Sequence, residues 1–303
     1  MAYQNFIPNV WNAGIDRELE RLCVFVEDCN TKYEGTVKKL GESVTILGVG
    51  KPTIKRIAKA NRNQDIDGPE EIQDTSVIMY INQIAYFNYL VGDIDKAQAT
   101  EGVMEALEQE TSEALANEVD KHISSCAVDS SVPKLYGNTP VKVVAKESEV
   151  AEGSEYVLDI IDKAIEKLQE NDVKIDSTKI VITLSPRFYR LFKKAYRIED
   201  TDNSKILKNG KVCDYGNVIV KLSNNTCRTN SAGAIVEEKN RANSDIDNIM
   251  IRTQRAIAFA KPLTHTEPYR PERKFADAVK GFILFDAKVV RPKEIININV
   301  KYE

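Results

Sequence analysis

The sequence predicts an α+β fold, and three observations carry that prediction. Two runs of strand-type residues, Thr36–Ile57 and Ser76–Ile94, enclose a polar loop, Ala58–Thr75, whose turn signal is Gly68-Pro69. One very long helical pattern follows directly. A block of alternating helix and strand signals then leads into a strand-rich C-terminus.

The first residues up to about 33 form an arm. Asn9-Val10-Trp11 leads into Ile15, Leu19, Leu22 and Val26, at the spacing of a short amphipathic helix. Trp11 is the single tryptophan, and its ordinary role is to anchor this arm to the body. Gly35 ends the pattern. Thr36–Leu40 and Ser43–Leu47 flank a plausible turn at Gly41-Glu42, and Thr53–Ile57 resumes extended character after Gly48, Gly50 and Pro52. The tip is polarised: Lys51, Lys55, Arg56, Lys59 and Arg62 precede Asp65, Asp67, Glu70, Glu71 and Asp74. A solvated loop is the bland reading of such charge. The sharper one is that opposite charges meet a neighbouring subunit and set its register. An isolated two-stranded arm is marginal in water, so such a chain expects another molecule to hold it.

Within the second run, Val77, Met79 and Ile81 alternate with Ile78 and Tyr80, and Ile84, Tyr86, Asn88 and Leu90 continue with period two. Large side chains on both faces predict a strand covered on both sides for part of its length. Asp95-Lys96-Ala97-Gln98 then reads as a capping box opening a helix to about Cys126. Val103, Leu107, Thr111, Ala114, Leu115, Val119 and Ile123 form its apolar stripe, opposite Glu101, Glu105, Glu108, Asn117 and Lys121. About thirty residues make a rod of roughly 45 Å. So narrow a stripe predicts a spine lying across a sheet. His122 sits near its C-terminal end, where a dipole contact is the expected role.

A second region begins near Ser130. Ser154 is the expected cap of a helix with Val157, Ile160, Ile161, Ala164, Ile165 and Leu168 on one face. Lys179–Leu184 reads as a buried strand, Ser185-Pro186 as an N-cap with proline at the first helical position, and Arg187–Lys194 as the helix. Asn217–Leu222 is a further strand, so residues 130–245 make a small α+β insertion. The chain returns through a strand at Ile249–Ala260, a polar loop at Thr264–Phe275, and strands at Gly281–Val290 and Glu294–Tyr302. These last strands are expected to complete the sheet beneath the long helix.

Bulk properties exclude several functions. The chain has 303 residues, 42% apolar and 29% charged, an ordinary globular composition. It has no run long and apolar enough for a membrane helix, and Met1–Asn5 lacks the features of a signal peptide, so a cytoplasmic site of synthesis and no membrane partner are expected. The net charge of −4, with bases and acids interspersed, disfavours a dedicated DNA-binding module. Cys23, Cys29, Cys126, Cys213 and Cys227 lack zinc-knuckle spacing and read as packed, reduced thiols. Two histidines, His122 and His265, are too few for a multi-histidine metal site. Gly48-Val49-Gly50 lacks the third glycine of a dinucleotide loop, and Asp93 and Asp95 read as turn and cap residues. No catalytic residue, metal ligand or cofactor is assigned, and the chain is not expected to be an enzyme. A thiol enzyme using Cys126 or Cys213 is the reading from another class.

The order of elements resembles that of the tailed-bacteriophage major capsid proteins, which have the HK97-like fold. The resemblance rests on Asn5–Trp11, Tyr33-Glu34-Gly35, Phe87–Ala99 leading into the long helix, and Lys179–Leu184 followed by Ser185-Pro186. It implies an N-terminal arm at 1–33, an extended loop at 34–77, a peripheral domain at 78–129 with 246–303, and an axial domain at 130–245. The peripheral domain would carry the spine helix, about 96–126. It further implies pentamers and hexamers tiling an icosahedral shell, assembled in the host cytoplasm and ending in the virion. That shell would enclose double-stranded DNA contacted without sequence specificity. A portal protein is an implied partner, and so is a separate scaffolding protein. The charged loop residues Lys51 to Asp74 named above would make intersubunit contacts, with Gly35, Gly48, Gly50 and Gly92 as hinges. Some members join subunits by a lysine–asparagine cross-link; Lys51, Lys55 and Lys59 lie in the right region, but none is assigned. A bacterial nanocompartment shell, encapsulin-like, shares the fold and is the alternative reading.

Overall fold

The computed structural model describes residues 22–32, 43–49, 54, 56, 74–92, 103–174, 178–199, 214–215, 218–273 and 276–302. Strands and helices are mixed, as the α+β reading expects. Among the described residues, thirteen strands and three α-helices make three sheets and their covering layers.

β1 (Ser43–Val49) pairs antiparallel with β2 (Asp74–Tyr80), Ser43 opposite Tyr80 and Val49 opposite Asp74. β3 (Gln83–Gly92) belongs elsewhere. It forms the edge of a three-stranded sheet with β12 (Ala276–Val289) and β11 (Ile257–Tyr269), in the order β11-β12-β3. The single run expected over Ser76–Ile94 is therefore two strands in two sheets, divided at Ile81-Asn82. The expected strand Ile249–Ala260 is likewise broken, because Ala256 N–H turns back to the Thr253 carbonyl at 3.2 Å. The expected polar loop from Thr264 is instead strand as far as Tyr269. β11 lies at a sheet edge, where a proline such as Pro268 is tolerated without losing a ladder bond.

Helix α1 (Val103–Ser125) lies on one face of the three-stranded sheet. Its described part is 23 residues, a rod of about 34 Å. Leu115, Val119 and Ile123 pack on Ile283, Phe285 and Ala287 of β12. The base of the β1–β2 hairpin covers part of the opposite face: Val44, Ile46 and Met79 meet Ala258, Ala260 and Leu284. Helix, sheet and hairpin base thus form three layers. The arm expected to be unsupported has its base seated in its own chain.

The second core is built on a larger sheet. β4 (Val141–Val144), β5 (Ser154–Tyr156), β6 (Ile180–Leu184), β7 (Asp214–Tyr215), β8 (Val218–Leu222), β10 (Ile246–Thr253) and β13 (Ile295–Lys301) run in the order β5-β4-β13-β10-β6-β8-β7, with β9 (Cys227–Thr229) on β10. Helices α2 (Val157–Glu170) and α3 (Pro186–Glu199) contribute Ile160, Ile161, Leu168, Phe188 and Phe192 to its core. The division expected at residues 130–245 cuts through this sheet, because β10 and β13 stand at its centre. Ser185 caps α3 as expected, accepting the Phe188 N–H at 3.3 Å. Ser154 does not cap α2. It lies in β5 and closes a turn with Ala151 instead.

Candidate assembly surfaces

The hairpin and its sheet present the clearest unsatisfied surface. On β3, Ala85, Phe87 and Tyr89 turn toward α1 and are partly buried. Alternate residues turn the other way, and Ile84, Tyr86 and Leu90 are 48%, 79% and 44% exposed. The strand is therefore covered on one face only, where the sequence led us to expect two. Ile78 and Tyr80 on β2 are also exposed, at 39% and 54%. A lone exposed apolar side chain needs no explanation, but a group of them on adjoining strands marks an interaction surface. Between β3 and α1 lies a groove of about 680 Å³, lined by Ala85, Phe87, Ala114 and Leu115 together with Glu110 and Lys121.

The stripe of α1 differs from the expected one. Leu115, Val119 and Ile123 are buried, and Leu107 is half-buried. Ala114 is exposed and lines the groove, because it lies about 100° around the helix from Leu115. Ser112, Ala116, Asp120 and Ser124 complete the buried stripe. Three of these are polar, so an apolar count overlooks them, yet each has a partner. The Ser112 hydroxyl donates to the Glu108 carbonyl at 2.7 Å, and Ser124 Oγ accepts the Cys227 N–H at 2.6 Å.

Asp120 has a more specific task. Its Oδ2 accepts the Val24 N–H at 2.9 Å and its Oδ1 accepts the Phe25 N–H at 3.1 Å. It thereby holds the segment 22–32 against α1. From β10, the buried Arg252 guanidinium donates to the carbonyls of Phe25, at 2.9 Å, and of Asp28. Lys179 and Lys221, beside and on the larger sheet, reach the buried Asp28 carboxylate at 2.8 and 2.6 Å. Asn30 bridges to β11 through Ile257 and Phe259. One short strap thus ties α1, the three-stranded sheet and the larger sheet together. Burial raises the Asp120 carboxyl to about 6. For Asp28, burial also pushes upward, but hydrogen bonds from Lys179 and Lys221 outweigh it and the carboxyl sits below its ordinary value.

The charged loop residues Lys51, Lys55, Lys59, Arg62, Asp65, Asp67, Glu70 and Glu71 lie outside the described residues, as do Gly35 and Gly50. Arg56 is exposed, and so is Ile54, at 88%. Asp74 opens β2 opposite Val49. Gly48 is paired with Thr75 inside the hairpin ladder, and Gly92 ends β3 opposite Ala276. Val103 begins the described part of α1. His122 does more than face the helix dipole: its Nε2 donates to Asp286 Oδ1 on β12 at 2.9 Å.

Nothing in the described thiols favours nucleophilic chemistry. Cys23, Cys29 and Cys227 are buried and Cys126 is partly so, all of them free. Burial pushes Cys23, Cys126 and Cys227 up to about 12, far from a thiolate at neutral pH. Cys213 lies outside the described residues. Among the described residues no three histidine, cysteine or acidic side chains are grouped to hold a metal ion, and no helix is long and apolar enough to cross a membrane.

Neither a protein-family model nor a curated protein sequence matches the chain. Solved structures match it along nearly its whole length. A structure from Mycobacterium phage Che8 aligns with a TM-score of 0.65 at 24% identity, covering 91% of this chain and 90% of that one. The capsid of the cyanophage P-SCSP1u gives 0.66 at 15% identity, over 93% and 88%. The asymmetric unit of the mature capsid of bacteriophage PhiM1 gives 0.59 at 16% identity, over 90% and 87%. The chain has the HK97-like fold of tailed-phage capsid proteins.

Proposed function

We propose that this chain is the structural subunit of an icosahedral phage capsid, self-assembling into pentamers and hexamers that enclose double-stranded DNA. The observation that carries the reading is the near-complete match to capsid structures, covering about nine-tenths of each chain. The uncovered apolar face of Ile84, Tyr86 and Leu90 supports it, since a shell subunit must bury surface against its neighbours. In this reading the arm is 1–33, the extended loop 34–77, the peripheral domain 78–129 with 246–303, and the axial domain 130–245, the last two sharing the larger sheet through β10 and β13. The loop charges from Lys51 to Asp74 meet a neighbouring subunit, and Gly35, Gly48, Gly50 and Gly92 allow the loop to change angle. Binding energy is used for assembly, not chemistry. A separate scaffolding protein guides closure, a portal protein fills one vertex, and the packaged genome is contacted without sequence specificity. Assembly takes place in the host cytoplasm and the product is the virion shell.

Electron microscopy of the purified chain, with size-exclusion chromatography at rising concentration, tests the proposal. Closed shells, tubes or rings of five or six are expected, alone or with the scaffolding protein added. A monomer under all these conditions would overturn the reading.

A further inference from the structure

At the open edge of the three-stranded sheet, one carboxylate serves the layers on both of its faces. β3 begins at Gln83, opposite Phe285, so the paired stretch of β12 with β3 ends there and Asp286 follows at an uncovered edge. Asp286 Oδ1 accepts the His122 Nε2–H from α1 at 2.9 Å. Its Oδ2 accepts the backbone N–H of Asn82 at 3.2 Å, in the short corner that joins β2 to β3. The Ala287 N–H donates to Oδ1 at 2.7 Å and steadies the carboxylate on its own strand. The His122 ring also meets Phe285 edge-on, with centroids 5.5 Å apart, which fixes its orientation. Both side chains of the pair are largely shielded, at 24% and 14% exposed.

Among the described residues, the rest of the hairpin seat is poorly directional. Its floor is Ala258, Ala260 and Leu284, and two of those three present a single methyl group. Apolar contact of this kind resists separation but hardly resists sliding. Lys288 Nζ donates to the Ile78 carbonyl at 2.7 Å, but from an exposed position on a flexible stem. The bonds through Asp286 lie at the pivot itself.

We propose that His122, Asp286 and the Asn82 amide form a latch that couples the angle of the hairpin to the long helix. Moving the hairpin about its corner draws Asn82 off Asp286 and loosens the grip of that carboxylate on His122. Displacing α1 acts on the corner by the same route in reverse. The proposal rests on the shell-subunit reading for its use, since it is there that the hairpin must change angle as neighbours dock. The coupling itself is a property of the single chain.

Hydrogen–deuterium exchange on the unassembled full chain tests it. Asp286→Ala removes both bonds, and the Asn82 amide should exchange about tenfold faster, the effect of losing one hydrogen bond. His122→Ala does not touch Asn82, yet it should speed exchange of the same amide about threefold, by freeing the carboxylate that holds it. Unchanged protection of the α1 amides over 115–123 shows that the fold is intact. Should Asp286→Ala fail to fold, Asp286→Leu, which keeps the bulk but has no acceptor, is read in its place with the same expectation of faster Asn82 exchange. If His122→Ala leaves the Asn82 amide unchanged, the two bonds are independent and the coupling is overturned. If the Asp286 variants also leave it unchanged, there is no latch. Because no shell is needed for this measurement, coupling in a chain that never assembles would uphold the latch and overturn the shell reading alone.

Discussion

Phe87 packs over Gly281 so closely that a Cβ on the glycine would lie 2.5 Å from the ring Cζ and 2.9 Å from the His265 carbonyl oxygen. The two residues face each other across β3 and β12. The ring occupies the space of the missing side chain and passes on into the core beneath α1.

Gly281→Ala should therefore destabilise the chain by about 2 kcal/mol, although a strand interior ordinarily favours alanine over glycine. The midpoint of urea unfolding should fall without a change of slope. An unchanged midpoint would mean that the ring swings aside at no cost.

Two carboxylates of opposite pH behaviour hold the strap, Asp120 from α1 and Asp28 within it. Asp120 binds its proton more tightly in the folded chain, at about 6 against an ordinary 3.8. Its contribution to stability is thus fully present below 3.8 and lost as pH rises through about 6, a difference of up to about 3 kcal/mol. Asp28 is held below its ordinary value, so its contribution is present above 3.8 and lost as pH falls further. Asp120→Asn should flatten the pH dependence of stability between about 4 and 6, measured by urea unfolding across that range. An unaltered slope would show that Asp120 does not titrate there.

Arg252 is 1% exposed, and its guanidinium closes the strap. Arg252→Met keeps much of the bulk but leaves the Phe25 and Asp28 carbonyls without this donor. A loss of about 3 kcal/mol is expected. Limited proteolysis should then cut within residues 22–32, where Phe25, Asp28 and Cys29 are buried in the intact chain. Equal stability and no new cut would remove the strap from any structural role.

Tyr86→Ser combined with Leu90→Ser should leave the monomer's thermal midpoint within a few degrees, since neither side chain is buried in the chain itself. Assembly should be weakened at least tenfold in threshold concentration, because two apolar contacts are lost from each interface. Normal assembly from this variant would mean that the β3 face stays uncovered in the shell.

Much of this architecture was legible in the residues. The hairpin, the long helix across a sheet, the cap at Ser185 and the buried strand before it follow from local periodicity and turn chemistry. Sheet membership was not legible. Nothing local to Ile81-Asn82 says that β2 stays with the hairpin while β3 joins β12, because that choice is made by partners about two hundred residues away. The polar members of the α1 stripe were missed for a related reason. Nothing in Asp120 or Ser124 themselves marks them as buried, because the backbone amides of Val24, Phe25 and Cys227 that they hold lie about a hundred residues away. His122–Asp286 was hidden by the same sequence distance, and His122 alone gave no sign of it. The loop charges from Lys51 onward were visible in the sequence only as charges, and most of them lie outside the described residues.

The position of β13 has a consequence for how the chain folds. It follows the other described strands in sequence, yet it stands between β4 and β10 in the middle of the larger sheet. Helices α2 and α3 and strand β6 can form from nearby residues, but the strand that joins the two halves of that sheet comes from more than a hundred residues further along. Closure of this core therefore depends on contacts of long sequence separation, and a chain cut before Ile295 would keep two half-sheets with nothing between them.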